Sequence, residues 1–163
     1  MKRLILMRHA KSSWATPGQD DHARPLNGRG RVSARVVGEW LQHKNYLPDQ
    51  TISSDSVRTR ETFAGLKILC DAEFTNDLYH AGPEDMLRVL RKATGDTVLM
   101  LGHNPGIGWF AQTLVAEPPP HPRFFDYPTC ATLVADFDID AWDEVGTGTG
   151  KAVDFVIPRE LTG

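Results

Sequence analysis

At 163 residues the chain is the size of one domain, on a prior of roughly 150 residues each, and long enough to bury a core without disulfides or metals. With 40% hydrophobic, 24% charged and 9% aromatic residues it is no disordered chain, coiled coil or collagen-like repeat, and a net charge of −3 argues against nucleic acid as a partner. No apolar run approaches the roughly 20 residues of a membrane span, and the four-residue run Leu4-Ile5-Leu6-Met7 falls short of the roughly seven a signal peptide needs, so a cytoplasmic protein with no membrane partner is expected.

In chain order, residues 3–8 read as a short buried strand. Residues 28–44 set Val32, Val36, Val37, Trp40 and Leu41 on one helical face, with Asn27 as N-cap. Thr51-Ile52-Ser53-Ser54 is a second strand, and Asp55 and Ser56 offer caps to a helix over about 56–69. Gly82-Pro83-Glu84-Asp85 starts another helix, with acids at the positive end of its dipole and Met86, Leu87 and Leu90 pointing inward. The clearest buried strand is Thr97–Leu101; Gly102-His103-Asn104-Pro105-Gly106 breaks it before a helix over about 106–116. A Pro-rich loop over 117–128 precedes strands at 131–137 and 153–157, joined through a mobile hairpin loop at 143–151. Strands interleaved with helices predict an α/β fold over 1–163: a single domain whose mostly parallel sheet is covered on both faces.

Three predicted strands end in chemistry-bearing residues: Arg8-His9, then Ser53-Ser54-Asp55-Ser56-Val57-Arg58, then Gly102-His103. Ligands of open α/β sheets bind outside the carboxyl ends of the strands, so Arg8, His9, Arg58 and His103 are expected in one region. That set suits phosphoryl transfer. Arg8 and Arg58 each supply a planar fork for phosphoryl oxygens, and a protonated His103 adds a third positive group. The helix starting near residue 56 points its first N–H groups the same way. His9 then attacks phosphorus through one ring nitrogen while the other, bonded to a carbonyl or carboxylate, holds the proton. Fixed positive charge does the neutralising, so neither metal nor cofactor is called for.

Residues 5–14 (ILMRHAKSSW) resemble the Arg-His-Gly signature of the histidine phosphatase superfamily, the phosphoglycerate mutase-like proteins. The resemblance continues through Arg24–Gly30, Ser53–Thr62 and Gly102–Gly106, and the short chain with Gly-His-Asn-Pro-Gly is similar to SixA-type phosphohistidine phosphatases. It implies a three-layer α/β/α sandwich, no metal, His9 as the phosphorylated nucleophile, Arg8 and Arg58 as phosphate-binding arginines, and His103 as the second pocket histidine. Ala10 replaces the signature Gly, Lys11 the acid often seen in mutases, and Ala15 a phosphate-contacting Asn of longer members. Where many members carry a Glu general acid, His80 stands as the possible proton donor, while Glu84 and Asp85 look like cap acids. The implied activity is a phosphatase for phosphohistidine in a phosphoprotein; the alternatives are a small phosphorylated substrate or a non-catalytic phosphate-binding relative.

Charge is uneven: +6 over residues 1–60 and −9 over 61–163, so the first part could attract an anion or simply reflect surface scatter. Lys11 either leans over the pocket as a further phosphate-binding group or is a solvated loop lysine. Arg24 either meets substrate or closes a loop salt bridge. Ser12 and Ser13 read as turn formers, and Asp55 as a cap or a partner for a pocket Arg or His. Trp14 and Trp109 read as core, Phe124, Phe125 and Tyr127 as cover for the sheet edge, and Cys70 and Cys130 as buried thiols. The Gly-Thr repeat at 146–151 lacks both the leading Gly and the Ser or Thr of a phosphate-binding loop, and no metal-ligand spacing or serine-hydrolase elbow occurs.

Overall fold

In the computed structural model, which describes residues 1–162, β1 (Lys2–Arg8) leads to α1 (Gly28–His43), β2 (Gln50–Ser54) and α2 (Val57–Leu66). β3 (Ala72–Thr75), α3 (Pro83–Leu90), β4 (Thr97–Gly102) and α4 (Gly106–Leu114) follow, then β5 (Thr132–Phe137), β6 (Lys151–Val156) and the one-turn α5 (Arg159–Thr162). The six strands form one sheet in the order β3-β2-β4-β1-β5-β6. β3, β2, β4 and β1 are parallel; β5 runs antiparallel to both β1 and β6, so it alone opposes the rest. No helix among the described residues is long and apolar enough to cross a membrane.

The central strands read as unbroken apolar runs because both their faces are buried. Leu4 and Leu6 of β1, Val98 and Met100 of β4, and Leu133, Ala135 and Phe137 of β5 pack on one side with α3, α4, Phe124, Tyr127 and Trp142. The alternate residues Ile5, Met7, Leu99, Leu101 and Val134 face α1, α2 and Leu161 of α5. A period of two delivering apolar groups to both faces is what a sheet sandwiched between helices requires. The three-layer expectation holds.

Helix starts follow the caps. Asn27 accepts from the Gly30 N–H and Ser56 from the Thr59 N–H, while Pro83 opens α3. The ends come earlier than periodicity suggested. α2 stops at Leu66, where Lys67 turns left-handed (φ 58°), and α4 stops at Leu114, where Val115 bridges to Gly150.

Several expectations are corrected. The strand β3 is missing from the sequence reading: at the sheet edge only one side is paired, and its four residues carry no apolar run. Val32 is exposed, because α1 buries its Ala34–Val37–Leu41 stripe and Gly38 instead. Trp14 (77% exposed) and Trp109 (57%) lie outside the core. Cys130 is buried, but Cys70 is only half-buried, beside the Thr51 hydroxyl at 3.4 Å.

Candidate active site

Register brings the strand ends together. Arg8 pairs with Gly102 across β1 and β4, and Ser53 with Leu101 across β2 and β4. The residues that leave β1 and β4, His9 and His103, therefore emerge side by side, next to the end of β2; the His9 N–H donates to the Gly102 carbonyl at 3.1 Å. There they floor an open cavity of about 690 Å³ that includes Arg8, His9, Lys11, Arg24, Arg58, His80 and His103. All residues expected at the site are in its lining. The His9 and His103 ring centroids are 5.2 Å apart.

The His9 imidazole is held by one backbone contact. Its Nδ1 lies 2.7 Å from the Ala10 carbonyl oxygen, an acceptor only, so Nδ1 carries the proton and Nε2 keeps a lone pair. Burial pushes the ring's pKa down to about 3, and the Arg8, Arg58 and Arg24 charges push the same way against the Ala10 bond. The imidazole is therefore neutral at physiological pH.

His103 departs from expectation in its charge. Burial, then His9 and Arg58, push it down to about 2, so in the free protein it is neutral rather than a third cation. Its Nε2 lies 2.9 Å from the Ser54 hydroxyl, while its buried Nδ1 has no partner among the described residues. With Ser54 donating to Nε2, Nδ1 carries an unused N–H.

The two arginines also keep unused donors. Arg8 donates through Nη1 to the Tyr127 carbonyl at 3.2 Å, and its Nε has no partner among the described residues. Burial and the neighbouring Arg58 hold its pKa below the usual value. Arg58 donates through Nη1 to the Asp21 carbonyl at 2.7 Å and through Nη2 to the Asp21 carboxylate at 3.0 Å, leaving Nε unpartnered. Three buried nitrogens of Arg8, Arg58 and His103 thus lack partners among the described residues, and the two guanidinium N–H groups are donors without acceptors. A buried unpaired donor costs about 1–3 kcal/mol, and an anion in the cavity would relieve both guanidinium donors, and His103 as well where Ser54 donates to its Nε2.

Asp21 is the site residue sequence reading missed. It lies in a short 3-10 turn (Asp21–Ala23) and takes hydrogen bonds from Tyr79, Arg58 and Arg24. Burial raises its pKa, but the Tyr79 and Arg58 bonds and the Arg58 charge outweigh that and hold the carboxyl well below the usual range. Burial, then Asp21, raise the Tyr79 phenol to about 12. No local pattern marks Asp21; the adjoining His22 pairs with Asp55 at 2.8 Å, a contact that shows only in three dimensions.

The rim residues follow. Arg24 lines the cavity and closes the loop salt bridge, pairing with Asp21 at 3.2 Å and donating also to the Ser12 hydroxyl at 2.8 Å. Its guanidinium sits 3.5 Å from the Trp14 ring centroid, so Trp14 is a stacking platform at the mouth. Ser13 accepts from the Ala15 N–H, the turn bond expected of it. His80 stands at the rim, 68% exposed, stacked on Tyr79 at 4.0 Å and 6.4 Å from the His103 centroid.

The family model described as the histidine phosphatase superfamily (branch 1) matches residues 4–78. An uncharacterised protein of Mycobacterium tuberculosis is 32% identical over 166 residues, covering 94% of this chain and 100% of that one. The chain belongs to the histidine phosphatase superfamily. An uncharacterised chloroplastic protein of Arabidopsis thaliana is 34% identical over 120 residues, covering 64% of this chain; the match spans 55% of that longer protein. Among solved structures, a Nakamurella multipartitia protein assigned as the phosphohistidine phosphatase SixA superposes with a TM-score of 0.83 at 25% identity, over 96% of both chains. Within the superfamily this histidine phosphatase is therefore SixA-like, with the phosphoglycerate mutase-like fold.

Proposed function

We propose that the protein is a phosphatase that passes the phosphoryl group through a covalent phosphohistidine on His9, and that its substrate is phosphohistidine in a phosphoprotein. The observation that carries the mechanism is the His9 tautomer: Nδ1 is committed to the Ala10 carbonyl at 2.7 Å, leaving Nε2 free at the floor of a cavity with two unused buried guanidinium N–H donors and an unpartnered His103 Nδ1. The substrate phosphoryl oxygens take those donors from Arg8, Arg58 and His103, with Lys11 at the edge. Nε2 forms a bond to phosphorus as the bond to the leaving group breaks. The leaving group takes its proton from water or from His80. Water then attacks the phosphorus, the phosphorus–Nε2 bond breaks, the water proton passes to the phosphate, and neutral His9 returns.

The SixA-like neighbour supports phosphohistidine as the substrate class, as does the open cavity, which no cap domain covers among the described residues. A phosphohistidine leaving imidazole also needs a weaker acid than an alkoxide does, which suits a site whose acid candidate is an exposed histidine.

Mixing the enzyme with a radiolabelled aryl phosphate and quenching in alkali should leave label on the wild-type chain and none on His9→Ala, whose turnover should drop by several orders of magnitude. EDTA should not change wild-type turnover. Label persisting on His9→Ala would reject the nucleophile. Comparing a histidine-phosphorylated protein with sugar phosphates at equal concentration tests the substrate; preference for the sugars would favour a small-molecule phosphomonoesterase.

A further inference from the structure

A second groove of about 570 Å³ shares two walls, Lys11 and Thr129, with the active-site cavity. It runs from there to α5 and carries Arg29, Arg123 and Arg159 along its length, with Val32 on its floor. No carboxylate lines it. Among the described residues Lys11, Arg29 and Arg159 have no ion-pair partner, and Arg123 is held by Asp126 at 2.8 Å. Arg29 stands in the first turn of α1, which contains no acid. A cation there opposes the helix dipole and works against the helix by a few tenths of a kcal/mol to about 1 kcal/mol, so local folding does not favour it.

The groove differs in kind from the cavity beside it. The cavity concentrates buried donors on one point, as a phosphoryl group needs. The groove spreads exposed cations over separate segments, around an apolar floor, and its buried atoms include no unpartnered donor. Spaced charges over an apolar floor fit an extended chain whose side chains alternate acidic and apolar, rather than one compact anion. Val32, predicted inside the core and found 43% exposed, is part of that floor.

We propose that this groove is a docking subsite for an acidic polypeptide segment flanking the phosphorylated residue of the substrate, so that Arg29, Arg123 and Arg159 set which phosphoproteins are engaged. The inference rests on the phosphoprotein reading above and adds to it the charge character of the partner.

Two fluorescein-labelled peptides, phosphorylated on histidine with phosphoramidate, test it. One has Asp and Glu alternating with apolar residues beside the phosphohistidine; the other has Asn and Gln in their place. Binding is read by anisotropy on His9→Ala protein, which does not consume them. The acidic peptide should bind roughly fivefold to tenfold tighter, the size expected of several exposed charge pairs. The difference should shrink as ionic strength rises from about 0.05 to about 0.5 M, because exposed pairs are screened. Adding Arg29→Gln and Arg159→Gln should bring it below about twofold, while the same pair of substitutions in the wild-type background leaves aryl phosphate turnover unchanged. Equal affinities, no binding of either peptide, or a preference that survives both substitutions would overturn the subsite. If the preference appears but wild-type enzyme does not hydrolyse phosphohistidine, the substrate reading fails and the groove stands. If both peptides are hydrolysed with equal affinity, the groove alone fails.

Discussion

Asp21 is a counter-charge inside the candidate site. It occupies Arg58 in the free protein and holds that guanidinium against the cavity wall, and its carboxylate repels an incoming dianion. Substituting Asp21→Asn keeps the Arg58 bond to the residue 21 carbonyl, removes the repulsion and frees one guanidinium nitrogen. Repulsion between like charges a few ångströms apart is worth on the order of 1 kcal/mol where water screens it, as in this open cavity, so inorganic phosphate should inhibit the variant several-fold more tightly. Competition against an aryl phosphate measures this; an unchanged or weaker inhibition constant would show that Asp21 does not compete with phosphate. Sequence reading found Arg8, His9, Arg58 and His103 because each follows an apolar strand or starts a capped helix. It missed Asp21 and Tyr79, which sit in irregular turns with no period to announce them. It also charged His103, because a residue type does not reveal that the ring is buried beside a second imidazole and Arg58.

At the scale of elements, the site depends on how closely α1 approaches the segment after β1. A Cβ at Gly30 would stand 2.1 Å from the Lys11 carbonyl oxygen, which itself accepts the Asn27 N–H at 3.0 Å. Gly30→Ala should therefore push the Lys11 segment off α1, costing about 1–3 kcal/mol as overpacking does, and raise KM for phosphomonoesters. Gly28→Ala is the control: its Cβ would meet only the Arg31 guanidinium at 3.8 Å, and thermal unfolding should show no loss. If both variants melt together, the close approach does not limit stability. Helix starts were legible here because Asn27, Ser56 and Pro83 act through local backbone bonds. Helix ends and β3 were not, because Lys67, Val115 and the edge strand take their conformations from neighbours distant in sequence.

Across the whole molecule, the two buried imidazoles link folding to pH. Both are neutral when folded, near 3 for His9 and 2 for His103, against about 6.5 in the unfolded chain. Between those limits the unfolded chain binds more protons, so stability is complete above pH 6.5 and falls as the pH drops. Each group can contribute up to about 1.4 kcal/mol per pH unit. Urea midpoints between pH 7 and 4 should fall steeply for the wild type and less steeply for His103→Asn; equal slopes would mean that His103 is not neutral in the folded state.

The amino-acid sequence by itself determined the alternation of apolar strands and capped helices, and placed an Arg-His pair, an arginine and a second histidine just beyond strand or helix boundaries. Those features are local: periodicity and capping act over a few residues. Only the tertiary structure decided that β1, β2 and β4 lie side by side in a register that aligns their ends, and that β5 opposes them. It also decided that Nδ1 of His9 is committed to a carbonyl, that Asp21 neutralises Arg58, and that a cationic groove adjoins the cavity. Strand order, tautomer and burial depend on groups that meet only when distant segments pack, and no short window of residues contains them.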